Sequence, residues 1–129
     1  MPGVPPSARR RSSVIRAIAI IAASLTLLIA AAPSRSSGYP TSAPEAWRAP
    51  GWWLSQAACI RSHEGWWTAN TGNGYYGAYQ FLASTWRSVG GPSLPHLVSP
   101  REQTYRAWLV WRRDGGSWRE WGTAGRCGV

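Results

Sequence analysis

The sequence predicts a small, mainly α-helical domain of the α+β class, with one short β-hairpin and one disulfide. The chain has 129 residues, too few for an α/β barrel or a doubly wound nucleotide-binding fold. It contains stretches without Gly or Pro that suit helices, one Asn-Gly pair that suits a turn, and only two cysteines. Its 10 tryptophans argue against a disordered chain, because disorder goes with few aromatic residues.

Residues 1–32 are predicted to form a secretion signal. Four arginines and no acidic residue precede an apolar run over 17–32. That run is shorter than the roughly 20 residues needed to span a bilayer, which favours a signal peptide over a membrane helix. Because Pro33 follows the small residues of the predicted cleavage site, an uncleaved anchor is the alternative. We therefore expect a secreted or cell-wall protein, with membrane contact only through an uncleaved leader.

Residues 33–50 are rich in Pro and Ser, which predicts an extended linker, and residues 51–129 form the predicted folded domain. Residues 33–129 keep ten arginines and all five acidic residues, so this part carries about +5 (10 − 5). These arginines are scattered, whereas a nucleic-acid surface needs a basic patch. We expect no nucleic-acid partner and a general attraction to anionic surfaces such as a bacterial wall.

The first predicted helix covers 53–64, a stretch without Gly or Pro that ends at Gly65. Trp53, Ala57, Ile60 and Glu64 fall on one face at spacings of three and four. Glu64 therefore ends the apolar face with a carboxylate. A carboxylate at a helix C-terminus opposes the helix dipole, which indicates that a role other than helix stability places it there.

A short hairpin is predicted next, because Asn73-Gly74 suits a tight type I′ turn. A second helix is predicted over 82–89, ended by Gly90-Gly91.

The third predicted helix begins at Ser99. Ser99 as the N-cap, Pro100 at the first helical position and Glu102 three residues after the cap form a capping box. This helix is expected to end at residues 114–116. The similar pattern at 117–120 predicts a last short helix. The tryptophans at amphipathic spacing on these two helices are expected in the core: Trp108, Trp111, Trp118 and Trp121.

Cys59 and Cys127 are the only cysteines, so one intramolecular pairing exists. In an exported chain we expect them to form a disulfide, with free or intermolecular thiols as the alternatives. The disulfide would close a loop of 69 residues (127 − 59 + 1) and contribute up to about 4 kcal/mol. Two cysteines and two scattered histidines are too few for a metal site, and no cofactor is indicated.

Residues 59–86 carry a recognisable pattern. Glu64 follows a helix, the run Asn-Thr-Gly-Asn-Gly-Tyr-Tyr-Gly occupies 70–77, and Gln80-Phe81 and Ser84-Thr85-Trp86 follow. This resembles the transglycosylase-like domain of the resuscitation-promoting factors, a lysozyme-like family of secreted actinobacterial proteins, over about residues 51–129. Two features depart from that family: Cys59 lies five residues before Glu64 instead of directly before it, and the segment after the acid is shortened.

The resemblance implies cleavage of the β-1,4 bond between N-acetylmuramic acid and N-acetylglucosamine in peptidoglycan, with Glu64 as the catalytic residue. No Asp or Glu lies between Glu64 and Glu102, so we predict a single-carboxylate mechanism instead of the usual pair. Glu64 would protonate the glycosidic oxygen and then activate either the sugar's own 6-hydroxyl (lytic transglycosylase) or water (muramidase). The predicted substrate-binding residues are Trp67, Asn70, Thr71, Tyr75, Tyr76, Gln80, Thr85 and Trp86.

Two other classes of function compete with this prediction. A non-catalytic peptidoglycan-binding module would keep the aromatic groove and the positive charge without needing Glu64. A cationic antimicrobial or nucleic-acid protein would need clustered basic residues, which the sequence lacks. We expect a monomer, acting in wall remodelling or resuscitation. Any partner wall hydrolase is left open by the sequence, and His63 is expected to face solvent.

Overall fold

The computed structural model describes Gly3 and residues 38–129. The helices are α1 (Gly51–Glu64), α2 (Ala83–Ser88) and α3 (Pro100–Arg113), the strands are β1 (Tyr75–Tyr76) and β2 (Phe81–Leu82), and two 3₁₀ turns cover Pro95–Leu97 and Ala124–Cys127. Within the described residues, three helices, a two-stranded sheet and a disulfide confirm the predicted lysozyme-like α+β class. Apart from Gly3, the predicted secretion signal lies outside the described residues. Within the described residues, no helix is long and apolar enough to cross a membrane.

The core is built mainly from aromatic side chains around α1. Trp53 is fully buried; its ring stacks on Trp118 with centroids 5.1 Å apart and meets Trp108 edge-on at 5.2 Å. The four tryptophans predicted to lie in the core do so: Trp118 and Trp121 are buried, and Trp108 and Trp111 are partly buried against them. Large aromatic side chains thus supply the apolar area that a domain of this size needs.

The hairpin forms, but its turn lies later than predicted. Strands β1 and β2 are antiparallel, with Tyr75 opposite Leu82 and Tyr76 opposite Phe81, so residues 77–80 make the turn. A type I′ turn at 73–74 needs positive φ at both residues. Gly74 has a positive φ, but Asn73 does not. The Asn73 side chain instead accepts a hydrogen bond from the Tyr75 N–H at 3.0 Å, an Asx turn that leads into β1.

Helix α3 begins as predicted, since the Ser99 hydroxyl oxygen accepts a hydrogen bond from the Glu102 N–H at 3.2 Å. The other half of the predicted capping box is wrong. The Glu102 carboxylate accepts hydrogen bonds from the buried Arg106 and from the Ala43 N–H, each at 2.6 Å. The buried guanidinium takes the carboxylate because an unpaired charge in the core is costly.

The chain after α3 differs from the predicted last helix. Residues 118–121 form turns, and the only regular element that follows in the described residues is the 3₁₀ turn Ala124–Cys127. The Trp118 indole N–H donates to Gln56 on α1, and the Trp121 indole N–H donates to the Tyr79 carbonyl, both at 2.8 Å. These bonds fix the segment to α1 and the hairpin, and tertiary contacts therefore override the local helix signal.

The C-terminal segment is joined to α1 by the predicted disulfide, Cys59–Cys127, whose Cα atoms are 5.9 Å apart.

Residues 38–50, which precede α1, contain no helix or strand, yet they pack against the rest of the domain. Tyr39 and Trp47 pack against the core, and Arg101 donates hydrogen bonds to the backbone carbonyls of residues 43–45. The described part of the predicted linker thus lies against α3.

Candidate active site

Glu64 is the last residue of α1 and is only partly buried. It comes one helical turn after Ile60, the last buried residue of α1, and Gly65 ends the helix directly after it. The Thr123 hydroxyl donates a hydrogen bond to Oε1 of Glu64 at 2.5 Å, across a sequence separation of 59 residues. The carboxylate is therefore fixed by a contact from the C-terminal segment while part of it stays accessible.

A depression of about 580 Å³ contains Glu64, a volume within the range of small-ligand sites. Its walls come from the last two turns of α1 and the segment that follows, and its lining residues are Ala58, Arg61, Ser62, His63, Glu64, Gly65, Trp66 and Trp67. Trp66 is 82 % exposed, so this ring stands free in solvent with its face open to a flat ligand. His63 is exposed, as predicted.

A smaller cavity of about 100 Å³ brings three of the predicted substrate residues together: Tyr75, Gln80 and Thr85. Gln80 connects this cavity to the acid, because a Cβ added at Gly65 would lie 3.1 Å from the Gln80 amide nitrogen. Gln80 itself has a positive φ of 47°, a strained conformation for a residue with a side chain. Such strain at the turn beside Glu64 is typical of functional positions.

The remaining predicted substrate residues lie elsewhere. Asn70 and Thr71 are exposed in the loop before β1; Asn70 pairs with Tyr76 in an isolated β-bridge, and the Tyr76 ring stacks on His96 at 5.3 Å. Trp86 is fully buried beside Phe81, with its indole N–H donating to the Pro92 carbonyl. We correct the predicted role of Trp86 from substrate binding to core packing, because a side chain without exposed surface has no face to offer a sugar.

Three residues of this region were not singled out from the sequence: Thr123, Glu120 and Arg61. Thr123 contacts Glu64, and Glu120 lines the small cavity with Gln80 and Thr85. The Arg61 guanidinium lies over the Trp67 ring, 4.6 Å from its centroid. Isolated Thr, Glu or Arg residues carry no sequence pattern, so no sequence signal could have revealed these three.

Among the described residues, one group of His and Cys side chains near Glu64 is close enough together to be considered as a metal site. The sulfurs of Cys59 and Cys127 and a His63 nitrogen lie within 4.8 Å of one another. Both sulfurs are already bonded in the disulfide, which leaves one histidine nitrogen where a metal needs several ligands.

The comparison with known families agrees with this geometry. Residues 49–124 match the model of the transglycosylase-like domain, which covers α1, the hairpin, α2, α3 and the Thr123 segment. The chain belongs to the transglycosylase-like family of the resuscitation-promoting factors. The family resemblance found in the sequence is thereby confirmed.

Several resuscitation-promoting factors are similar to this transglycosylase-like domain. Resuscitation-promoting factor Rpf of Micrococcus luteus is 41% identical over 106 residues, which cover 82% of this chain and 43% of the relative. Resuscitation-promoting factor RpfE of Mycobacterium tuberculosis is 45% identical over 62 residues, covering 48% of this chain and 35% of the relative. The chain therefore spans less than half the length of these two curated relatives.

Proposed function

We propose that this protein is a secreted enzyme that cleaves peptidoglycan at the β-1,4 bond between N-acetylmuramic acid and N-acetylglucosamine. The observation that carries the proposal is the Glu64 carboxylate, fixed by Thr123 and opening into a depression with exposed tryptophan. Family membership supports the substrate class. Residues 33–129 carry ten arginines against five acidic residues, which suits attraction to an anionic cell wall.

In the proposed mechanism, Glu64 acts first as acid and then as base. Its protonated carboxyl gives a proton to the glycosidic oxygen, and the C1–O bond breaks. The incoming hydroxyl oxygen then bonds to C1 and loses its proton to the Glu64 carboxylate, which restores the acid. When the incoming hydroxyl is the muramic acid 6-OH, the product is a 1,6-anhydro sugar. When it is water, the product is a reducing end.

Thr85 and Gln80 are proposed to hold the sugar or the incoming hydroxyl from the small cavity beside Gly65. Tyr75, 42% exposed, and the partly buried Trp67 are proposed sugar-stacking residues. Asn70, Thr71 and Tyr76 remain proposed contacts for more distant sugars, along the loop before β1.

The role of Glu64 is tested by Glu64→Gln, with Glu45→Gln as the matched control because Glu45 is exposed and distant in sequence from the site. We expect Glu64→Gln to lower the rate of muropeptide release from purified peptidoglycan by about 100-fold or more, since general acid catalysis contributes that much. Glu45→Gln should keep the rate of the unaltered protein. Mass spectrometry of the released fragments separates anhydro ends from reducing ends.

Glu120→Gln tests whether one carboxylate is enough. Glu120 lines the small cavity, but its Oε1 already accepts a hydrogen bond from Arg113 at 3.5 Å. If one carboxylate is enough, we expect Glu120→Gln to retain most of the cleavage rate. A loss of rate equal to that of Glu64→Gln would require a two-carboxylate mechanism. If the unaltered protein binds peptidoglycan without cleaving it, a binding module would be favoured instead.

A further inference from the structure

A second groove, of about 540 Å³, lies between residues 47–49, α1 and the start of α3. Its floor is largely apolar and aromatic, and its lining residues are Trp47, Arg48, Ala49, Leu54, Ala57, Arg61, Trp67, Tyr79, Pro100, Arg101 and Thr104. Its volume suits a ligand of several residues or sugars. Burial raises the pKa of Tyr79, so this phenol stays uncharged and adds no negative charge to the floor.

The charged residues that line this groove are all positive. Arg48, Arg61 and Arg101 line it, and no Asp or Glu does. Arg48 and Arg101 donate hydrogen bonds to neutral backbone carbonyls of residues 43–47, which orient them without cancelling their charge. Within residues 38–129, the arginines that form ion pairs are others, namely Arg106, Arg113 and Arg119.

Arg61 is the most informative of the three. It is only partly exposed, its guanidinium lies over the Trp67 ring, and its buried Nε has no hydrogen-bond partner among the described residues. Cations that leave water are normally paired with an anion or fully hydrogen-bonded. Arg61 is only partly exposed and forms no ion pair within the described residues, which points to an anionic ligand.

This groove meets the Glu64 depression, because Arg61 and Trp67 line both. The groove therefore lies next to the proposed position of the sugar at Glu64. In peptidoglycan, the group that branches from the muramic acid sugar is a short peptide bearing several carboxylates. Carboxylates match the guanidinium fork, and the aliphatic side chains of such a peptide match Trp47 and Leu54.

We infer that the arginine-lined groove is a binding site for the acidic peptide attached to the muramic acid sugar, with Arg61 as its central contact. This inference rests on the proposed function. Peptide binding in this groove makes the protein selective for glycan strands that still carry their peptides. Peptide-free glycan is then held by the sugar contacts alone.

The test compares two ligands by calorimetry in the Glu64→Gln background, which prevents cleavage. One ligand is a disaccharide bearing its peptide, and the other is the same disaccharide after an amidase has removed the peptide. We expect the first to bind about tenfold more tightly, the effect of one charge-assisted hydrogen-bonded pair. Adding Arg61→Met should abolish this difference between the two ligands, while Arg61→Lys should retain part of it.

Two further variants separate binding from packing. Arg48 is exposed, so Arg48→Gln should fold normally and reduce the peptide preference by itself. Arg87→Gln, at an exposed position of α2 outside the groove, should leave the preference unchanged. Equal binding of the two ligands before any Arg61 change would overturn the inference, as would tighter binding of a glycerol-phosphate polymer than of the peptide ligand.

The failure of this inference is distinct from the failure of the proposed function. If neither disaccharide binds and the unaltered protein releases no fragments, the function itself is wrong. If both disaccharides bind equally and the unaltered protein cleaves peptidoglycan, only the peptide site is wrong.

Discussion

The Thr123 hydroxyl holds one oxygen of the Glu64 carboxylate, and this fixes how the group can act. Oε1 accepts the Thr123 hydrogen bond, while Oε2 has no hydrogen-bond partner among the described residues. In the proposed mechanism, Oε2 is therefore the oxygen that carries the proton for the glycosidic oxygen. A residue that orients an acid in this way acts on catalysis through geometry, because small displacements of the reacting group are costly.

Replacing Thr123 tests this positioning role. Thr123→Val keeps the size of the side chain and removes the hydroxyl, so we expect kcat to fall about tenfold or more with KM little changed. Thr123→Ser should restore most of the rate because it returns the hydroxyl. A rise in KM at constant kcat, or no rescue by Thr123→Ser, would assign Thr123 a purely structural role.

At the scale of elements, Gln103 of α3 holds the hairpin and the segment after Glu64 in place. Its Oε1 accepts a hydrogen bond from the Ala78 N–H, and its Nε2 donates to the Trp67 carbonyl, both at 2.9 Å. Gly77 must be glycine here, since its φ is +72° and an added Cβ would collide with the Gln103 amide. One buried amide thus fixes the position of both walls of the candidate site.

We expect Gln103→Met, which keeps the length of the side chain, to lower the free energy of unfolding by about 2 to 4 kcal/mol. The reason is that the Ala78 N–H and the Trp67 carbonyl would be buried without partners. Urea unfolding followed by tryptophan fluorescence measures the change, with the exposed Arg87→Gln as a control. A Gln103→Met protein as stable as the control would show that the two hydrogen bonds contribute little.

Local signals predicted the helices better than the turns. Helix α1 ends at Gly65 and α3 begins at the Ser99 cap, because these signals act within one helical turn. The position of the hairpin turn was predicted wrongly because a contact distant in sequence helps to fix it: the Ala78 N–H donates a hydrogen bond to Gln103, twenty-five residues away. Glu64 could be found from its place on an apolar face and from the family resemblance, whereas Thr123 could not, since its role arises only when distant segments meet.

On the scale of the whole molecule, the Cys59–Cys127 disulfide links α1 to the turn that follows Thr123. In the chain-entropy model, removing it costs about 4 kcal/mol for a loop of this length. The same change releases the segment that carries Thr123. Stability and the geometry of the proposed acid therefore depend on one bond.

Reduction of the Cys59–Cys127 disulfide should therefore lower both the stability of the fold and the rate of cleavage. We expect dithiothreitol to lower the Tm and, at temperatures where the protein is still folded, to lower kcat toward that of Thr123→Val. Thermal unfolding and fragment release with and without reductant measure the two effects. The double variant Cys59→Ala/Cys127→Ala should be insensitive to reductant, and full activity in that variant would contradict the link between the disulfide and Glu64.

The bond between Glu64 and Thr123 also imposes an order of assembly. During synthesis, Thr123 emerges about 3 to 12 s after Glu64 at ordinary rates of translation, because 59 residues separate them. Until then the carboxylate has no hydroxyl to orient it, and until Cys59 meets Cys127 nothing covalent keeps that hydroxyl in reach. The carboxylate of the proposed site is therefore oriented only after the C-terminal segment has been made, and a covalent bond keeps it oriented only where thiols are oxidised.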